Sequence, residues 1–219
     1  MPDPLIVVKD LVKRYDDRQT VLNGVSFSIE PGAFVTIYGK SGCGKTTLLN
    51  IIGGLDEPTS GEVEIDGRSL VNLTEDELAR TRLNKIGFVF QDYNLLQELT
   101  IRENIMLPLL LARKRDEARA DDLLRRFDIE AIAGTTANRV SGGEAQRAAI
   151  ARAMANGPKI ILADEPTGNL DSDNTLNVIE MFQVARREFG TAVLLATHDE
   201  NLAKHSTRSI RLIDGKAVG

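Results

Sequence analysis

Apolar positions along the chain fall into two patterns. Short runs of consecutive apolar residues, Ala33–Tyr38, Ile86–Phe90, Ile160–Ala163 and Thr191–Ala196, read as strands covered on both faces. Between them lie segments with helical spacing. Lys45–Ile52 follows the first run; Thr74 with Glu77 forms a capping-box pattern that opens a helix towards Asn84. Leu95–Arg139 reads as mostly helical, with Asp116–Phe127 its clearest helix. Leu176, Ile179, Phe182, Ala185 and Phe189 recur at three- and four-residue steps and predict one amphipathic helix. Near the amino end the pattern alternates instead. Leu5–Lys9 and Thr20–Glu30 predict half-buried strands on either side of the turn-rich Tyr15-Asp16-Asp17-Arg18; Pro31-Gly32 marks a turn and Gly61–Asp66 another strand. Thr191–Ala196 is expected to be the last strand. Helices that alternate with short apolar strands predict an α/β fold with a mostly parallel sheet. The early β-rich segment, an antiparallel subdomain, and the central helical segment are additions to that core.

Composition narrows the function classes. Among 219 residues, 42% are hydrophobic and 27% charged, within the globular range, and the length suits one domain spanning 1–219. The net charge of -5 argues against nucleic acid as the main partner, because a phosphate-backbone binder usually carries a basic excess. Cys43 is the only cysteine, so an intrachain disulfide is impossible. No charged segment followed by an apolar run opens the sequence, and the longest apolar stretch, near Ile105–Ala112, is broken by Pro108. A membrane span needs roughly 18 or more apolar residues. The expectation is a cytoplasmic protein whose membrane role, if it has one, comes through a partner.

The candidate chemistry sits at strand ends. Gly39, Gln91, Asp164 and His198 each follow a strand-like run, and parallel sheets place ligands at the carboxyl ends of their strands. Gly39-Lys40-Ser41-Gly42-Cys43-Gly44-Lys45-Thr46, with Thr47 next, fits the phosphate-binding loop. Its glycines let backbone N–H groups turn inward, Lys45 reaches the terminal phosphates of a nucleotide, and the Thr46 hydroxyl ligates Mg²⁺. Asp164, which closes IILAD, is the expected second anchor for that ion, acting through water; Glu165 projects elsewhere and can polarise a water for attack. A GTPase would add an Asn-Lys-x-Asp guanine reader. Asn84-Lys85 is followed by Ile86-Gly87, which fails that test.

A second glycine-rich stretch, Val140-Ser141-Gly142-Gly143-Glu144, also opens a helix. Ser141 and Glu144 form a capping box. A cap does not require two glycines, which cost chain entropy but allow close backbone approach to a ligand. Taken together, GKSGCGKTT, Gln91, VSGGEAQR, IILADEP, GNLD and ATHD occur in the order found in the ATP-binding subunits of ABC transporters, and this resemblance covers essentially the whole chain.

The resemblance implies a P-loop ATPase with a helical subdomain over roughly 92–157, using ATP and Mg²⁺ as a head-to-tail dimer of identical or paralogous chains. In that family the serine-glycine-glycine loop of one subunit clamps the γ-phosphate held by the other subunit. Tyr15 then corresponds to the aromatic that stacks on adenine. Gln91 matches the residue that senses Mg²⁺ and the attacking water. Ser141, Gly142, Gly143 and Glu144 match the signature loop, Glu165 the catalytic carboxylate, Asp171 the loop coupling the two sites, and His198 the switch histidine at the γ-phosphate. His205 has no counterpart and is expected at the surface. The family usually has leucine and glutamine where this chain has Val140 and Glu144. Glu144 either brings negative charge near a phosphate or faces its own Ser141 cap.

The resemblance further implies docking on an integral membrane permease, which would hold the chain peripherally at the cytoplasmic face of the membrane. Segment 92–110 matches the region that receives a helix of that partner. Leu95, Leu96 and Leu99 are either exposed anchors there or core of the helical lobe. GLDEPTSGEV, FQDYNLLQELTIRENIMLPLL and EPTGNLD are similar to the subgroup of lipoprotein-releasing, macrolide-exporting and cell-division ATPases, which transmit motion across the membrane. Little sequence follows Thr191–Ala196, and the expectation is a chain without the regulatory domain that many sugar importers append. An importer ATPase for amino acids or ions, and a regulatory ATPase switch, are the alternatives. A soluble DNA-repair ATPase fits less well, since the spacing between the two loops leaves no room for a coiled-coil insertion.

Overall fold

Alternation at the amino end gives an antiparallel sheet. The computed structural model describes residues 3–15, 19–168, 170 and 172–218. β1 (Ile6–Arg14) pairs with β2 (Thr20–Ile29) on one side and β4 (Ser60–Ile65) on the other, and β5 (Arg68–Ser69) extends the sheet in the order β2-β1-β4-β5. Ile6, Val8, Leu11, Leu22, Val25 and Ile29 supply its buried face.

The apolar runs form the second sheet. β3 (Phe34–Tyr38), β6 (Ile86–Val89), β7 (Ile160–Asp164), β8 (Ala192–Thr197) and β9 (Arg208–Ile213) run parallel, and β10 (Lys216–Val218) closes one edge antiparallel to β9. The order is β10-β9-β3-β8-β7-β6. Successive strand residues point to opposite faces, and here they serve two cores. Ile160, Leu162, Ala192, Leu194 and Ala196 join the antiparallel sheet and α1 (Lys45–Ile52). Ile161, Ala163, Val193 and Leu195 join the helices on the other side. That is why these strands read as unbroken apolar runs.

Those helices are α3 (Ile101–Leu111), α4 (Glu117–Arg126), α5 (Gly142–Ala153) and α6 (Ser172–Phe189), while α2 (Glu75–Lys85) precedes β6. The capping box at Thr74 and Glu77 is present as expected. Among the described residues, no helix is long and apolar enough to cross a membrane.

Two expectations need correction, and one open alternative is resolved. Thr191–Ala196 is not the last strand: β9 and β10 follow, joined by a hairpin in which Asp214 (φ 47) and Gly215 (φ 75) both adopt the left-handed conformation. β9 buries only Ile210 and Leu212 between exposed neighbours, so it lacks the continuous apolar run of the other parallel strands. Leu176 is 53% exposed; the buried stripe of α6 begins with Val178 and Ile179, and Leu176 lines an open cleft with Leu170 and His198 instead. Leu95 is core, 5% exposed, whereas Leu96 is open and Leu99 half-buried. Leu95–Arg139 is mostly helical as expected, through α3, α4 and two short 3₁₀ turns, after irregular chain over 92–100.

Candidate functional site

α1 begins without a side-chain cap. Gly44, its N-cap, has φ 105, and no acidic residue lies in the first turn. A side chain at Gly44 would meet Leu22 Cδ2 and the Val21 carbonyl oxygen at 2.9 Å; one at Gly39 would sit 2.3 Å from the Leu212 carbonyl oxygen. The loop from β3 to α1 is therefore pressed against its neighbours through glycine backbone. Its first N–H groups and the positive end of the helix dipole face outward, the arrangement that attracts an anion. Lys40, Ser41 and Gly42 form the exposed crest, while Cys43 and Thr47 are half-buried.

Lys45 folds back across this loop. It is only 6% exposed, and its ammonium donates to the carbonyls of Gly39 (3.0 Å) and Lys40 (3.4 Å) and pairs with Glu165 Oε1 at 3.3 Å. Glu165 follows β7 in the left-handed conformation, φ 47, which is costly for a non-glycine residue and persists where neighbours fix it. Its other oxygen, Oε2, lies 2.8 Å from His198 Nδ1 and accepts the His198 backbone N–H at 3.2 Å. β7 and β8 are adjacent and parallel, and so they deliver Glu165 and His198 side by side.

Asp164, at the end of β7, bonds with Thr46. Burial holds its carboxyl above the ordinary aspartate range; the Glu165 charge adds to this, while the Thr46 bond and Lys45 oppose it. Oδ1 is buried with no hydrogen-bond partner. A buried carboxylate oxygen without a partner is expensive unless a cation or donor reaches it. Gln91 comes from beyond β6, with Nε2 3.3 Å from where a Cβ would stand on Gly168. Thr46 and Asp164 thus bring together a hydroxyl and a carboxylate, hard donors that suit Mg²⁺ completed by water and phosphate. Among the described residues, no group of three or more His, Cys, Asp or Glu side chains is placed to hold a metal ion by itself.

Tyr15 stands beside α1, 59% exposed. Its hydroxyl donates to Asp56 Oδ2 at 2.9 Å and lies 3.5 Å from Thr47 Oγ1, and the Lys13 ammonium sits 4.8 Å from the ring centroid. Asp56 and Lys13 carried no signal in the sequence: the contact spans 41 residues and matches no motif.

The second glycine loop is capped. Glu144 Oε2 accepts from the Ser141 backbone N–H (2.8 Å) and hydroxyl (2.6 Å), and the Glu144 N–H donates back to Ser141 Oγ at 3.4 Å. These bonds to Ser141 hold the Glu144 carboxyl below its ordinary range. Glu144 thus faces its own cap. Among the described residues, no hydrogen bond or ion pair of Ser141 or Glu144 reaches the Gly39–Thr47 loop. The structure brings together Lys45, Thr46, Asp164, Glu165 and His198, places the Gln91 amide near Gly168, and shows no hydrogen bond or ion pair from Ser141 or Glu144 to that group among the described residues. Asp171 lies outside the described residues.

Comparison with known proteins gives the family. A family model described as ABC transporter matches residues 22–168. The lipoprotein-releasing system ATP-binding protein LolD 1 of Chlorobium chlorochromatii is 45% identical, over all of this chain and 92% of its own length. The macrolide export ATP-binding/permease protein MacB of Syntrophobacter fumaroxidans is 43% identical over 94% of this chain, which spans 31% of that protein. Among solved structures, a dimeric post-hydrolysis state of the ATP-binding cassette MJ0796 bound to ADP and Pi has a TM-score of 0.89 at 42% identity, covering 98% of this chain and 97% of that one. The chain belongs to the ABC transporter family, as an ATP-binding and ATP-hydrolysing subunit of the LolD and MacB type.

Proposed function

We propose that this chain is a single ATPase domain that drives a separate membrane subunit by mechanical transmission, as in lipoprotein release or macrolide export. The observation that carries this reading is the convergence at the carboxyl edge of the parallel sheet. There an uncapped helix start, a buried lysine and an unpartnered carboxylate oxygen stand beside a Glu165–His198 pair.

ATP binds with its phosphates over Gly39–Thr46, and its adenine stacks on the exposed ring of Tyr15. Lys45 exchanges two backbone carbonyls and Glu165 for phosphate oxygens. Thr46, Asp164 and Gln91 are the residues that hold Mg²⁺. The ion supplies charge neutralisation along the phosphates when bound. Release from Lys45 leaves Glu165 free to accept the proton of the attacking water, with His198 holding its orientation from the neighbouring strand. Ser141, Gly142 and Gly143 of a second copy, or of a paralogue, complete the site from the other side, and Asp171 couples the two sites. The dimeric state of MJ0796 supports this pairing.

An apolar groove of about 470 Å³, lined by Leu55, Leu83, Phe88, Phe90, Leu107 and Leu111 among others, offers the membrane subunit a seat. Only Leu107 and Pro108 come from the expected segment 92–110; the rest comes from Leu55 beyond α1, from α2, β6 and Phe90, from Leu111 at the end of α3, and from the end of α5 with Asn156 and Pro158 after it. Docking there places the chain peripherally at the cytoplasmic face of the membrane.

The test is turnover of Glu165→Gln, which is expected to fall by roughly 10²–10⁴-fold, the scale of a lost general base. A loss below about tenfold would remove Glu165 from that role. For the partner, the same variant is tagged and copurified with ATP from gently solubilised membranes. Recovery of a few-span protein with a large outer domain supports the mechanical reading, whereas a many-span permease points to an importer.

A further inference from the structure

The chain just after Gln91 is unusual in itself. Tyr93 (φ 62) and Asn94 (φ 48) are consecutive non-glycine residues in the left-handed conformation, a strained turn that persists only where its surroundings fix it. Two polar side chains do so, one fully buried and one half-buried. On one side, Asn104, fully buried on α3, accepts from the Leu96 N–H at 2.8 Å and donates to the Leu96 and Thr100 carbonyls at 3.0 Å. On the other, Arg152 near the end of α5 donates Nη2 to the Tyr93 carbonyl at 2.9 Å and Nη1 to the Asn94 carbonyl. No carboxylate pairs with Arg152 among the described residues, and burial pulls its pKa down. A guanidinium fork matches two adjacent acceptors in a way that an ammonium does not.

Arg152 also lines the apolar groove. Tyr93 reaches the opposite end of α5, its hydroxyl 3.1 Å from where a Cβ would stand on Gly142. One turn of chain is thus tied to α5 at its last turn and packed on its first residue.

We propose that Arg152 is a positioning residue that makes the loop after Gln91 and helix α5 one mechanical unit. The tether fixes the chain that follows Gln91 against the helix that Ser141 caps. The inference rests on the nucleotide-site reading above, but its structural half stands apart from that reading.

The test compares Arg152→Gln and Arg152→Lys in the full chain, with ATPase kinetics and amide hydrogen exchange. For Arg152→Gln, kcat is expected to fall about tenfold, the scale of a catalytic group misplaced by under 1 Å, with KM for ATP changed by less than about twofold. Exchange across residues 92–96 should rise about tenfold or more, with α1 unchanged. Arg152→Lys, which keeps one bond, should recover part of both effects, and it carries the test if the glutamine variant fails to fold. An unchanged kcat, or kcat and KM failing together with protection lost throughout the chain, would overturn the proposal. If the parent chain itself does not hydrolyse ATP, the nucleotide reading has failed, while the exchange result still judges the Arg152 tether.

Discussion

The two glycine-rich helix starts of this chain look alike in sequence and differ in what occupies them. α1 has no side-chain cap and no acid in its first turn, and its glycines are pressed between β2 and β9. α5 carries a complete capping box, with Glu144 bonded to Ser141 through backbone and side chain. At the first loop the N–H groups remain available and a lysine crosses them; at the second they are already partly satisfied from within. The lesson is one of division of labour. On the reading proposed above, the first loop holds phosphate within its own chain. The second is a stable, self-capped edge, suited to being presented to something that arrives already bound elsewhere.

The comparison is tested first where the effect is largest. Lys45→Ala removes the buried ammonium from the first loop, and ATP affinity should fall by about 10²-fold, corresponding to ~3 kcal/mol for a lost charged hydrogen bond. Equilibrium binding of a fluorescent ATP analogue measures it. Affinity within about threefold of the parent would show that the loop does not depend on Lys45.

The glycines sharpen the contrast. Gly44→Ala forces a side chain into a left-handed residue against the Val21 carbonyl and should cost about 1–3 kcal/mol of stability. Gly142→Ala stands at the first residue of α5 and meets only the end of the Tyr93 side chain, so stability should stay within about 0.5 kcal/mol, helped by alanine's helix propensity. ATP-dependent association should nevertheless weaken in that variant. Urea unfolding and sedimentation separate the two effects; equal stability losses would erase the distinction.

For stability, Asp164→Asn gives a small change with the clearest sign. The folded-state pKa of Asp164 lies above its unfolded value. Its proton therefore stabilises the fold at low pH, and that contribution is lost as pH rises through the folded value. Asparagine is neutral throughout. Without Mg²⁺, the variant should melt above the parent near pH 8, and the gap should close towards about pH 4, while Mg²⁺-dependent turnover is lost. A variant that melts below the parent near neutral pH would mean that the ionised carboxylate is satisfied by the protein alone.

Much of the site was legible because its grammar is local. Lys45–Ile52 forms the helix its spacing predicts, and Asp164, Glu165 and His198 stand at strand ends because apolar runs mark where parallel strands stop. What escaped was set by distant contacts or by weaker patterns. β9 alternates between exposed and buried residues and was not recognised, although Asp214-Gly215 is a hairpin signal. Leu95 could be assigned to core or surface only once the helical lobe was folded. Arg152 and Asp56 act on residues 59 and 41 positions away, beyond any local pattern.

The central claim is that the second loop serves a different copy of the chain, and the single cysteine offers a direct test. Cys43 lies in the first loop. In a Glu165→Gln background, Ser141→Cys places a second thiol in the other loop, and a short bismaleimide is added with and without ATP and Mg²⁺. A covalent dimer that forms only with nucleotide, and disappears when Cys43 is replaced by serine, is the predicted result. A crosslink confined to single chains, or a dimer indifferent to nucleotide, would contradict the account.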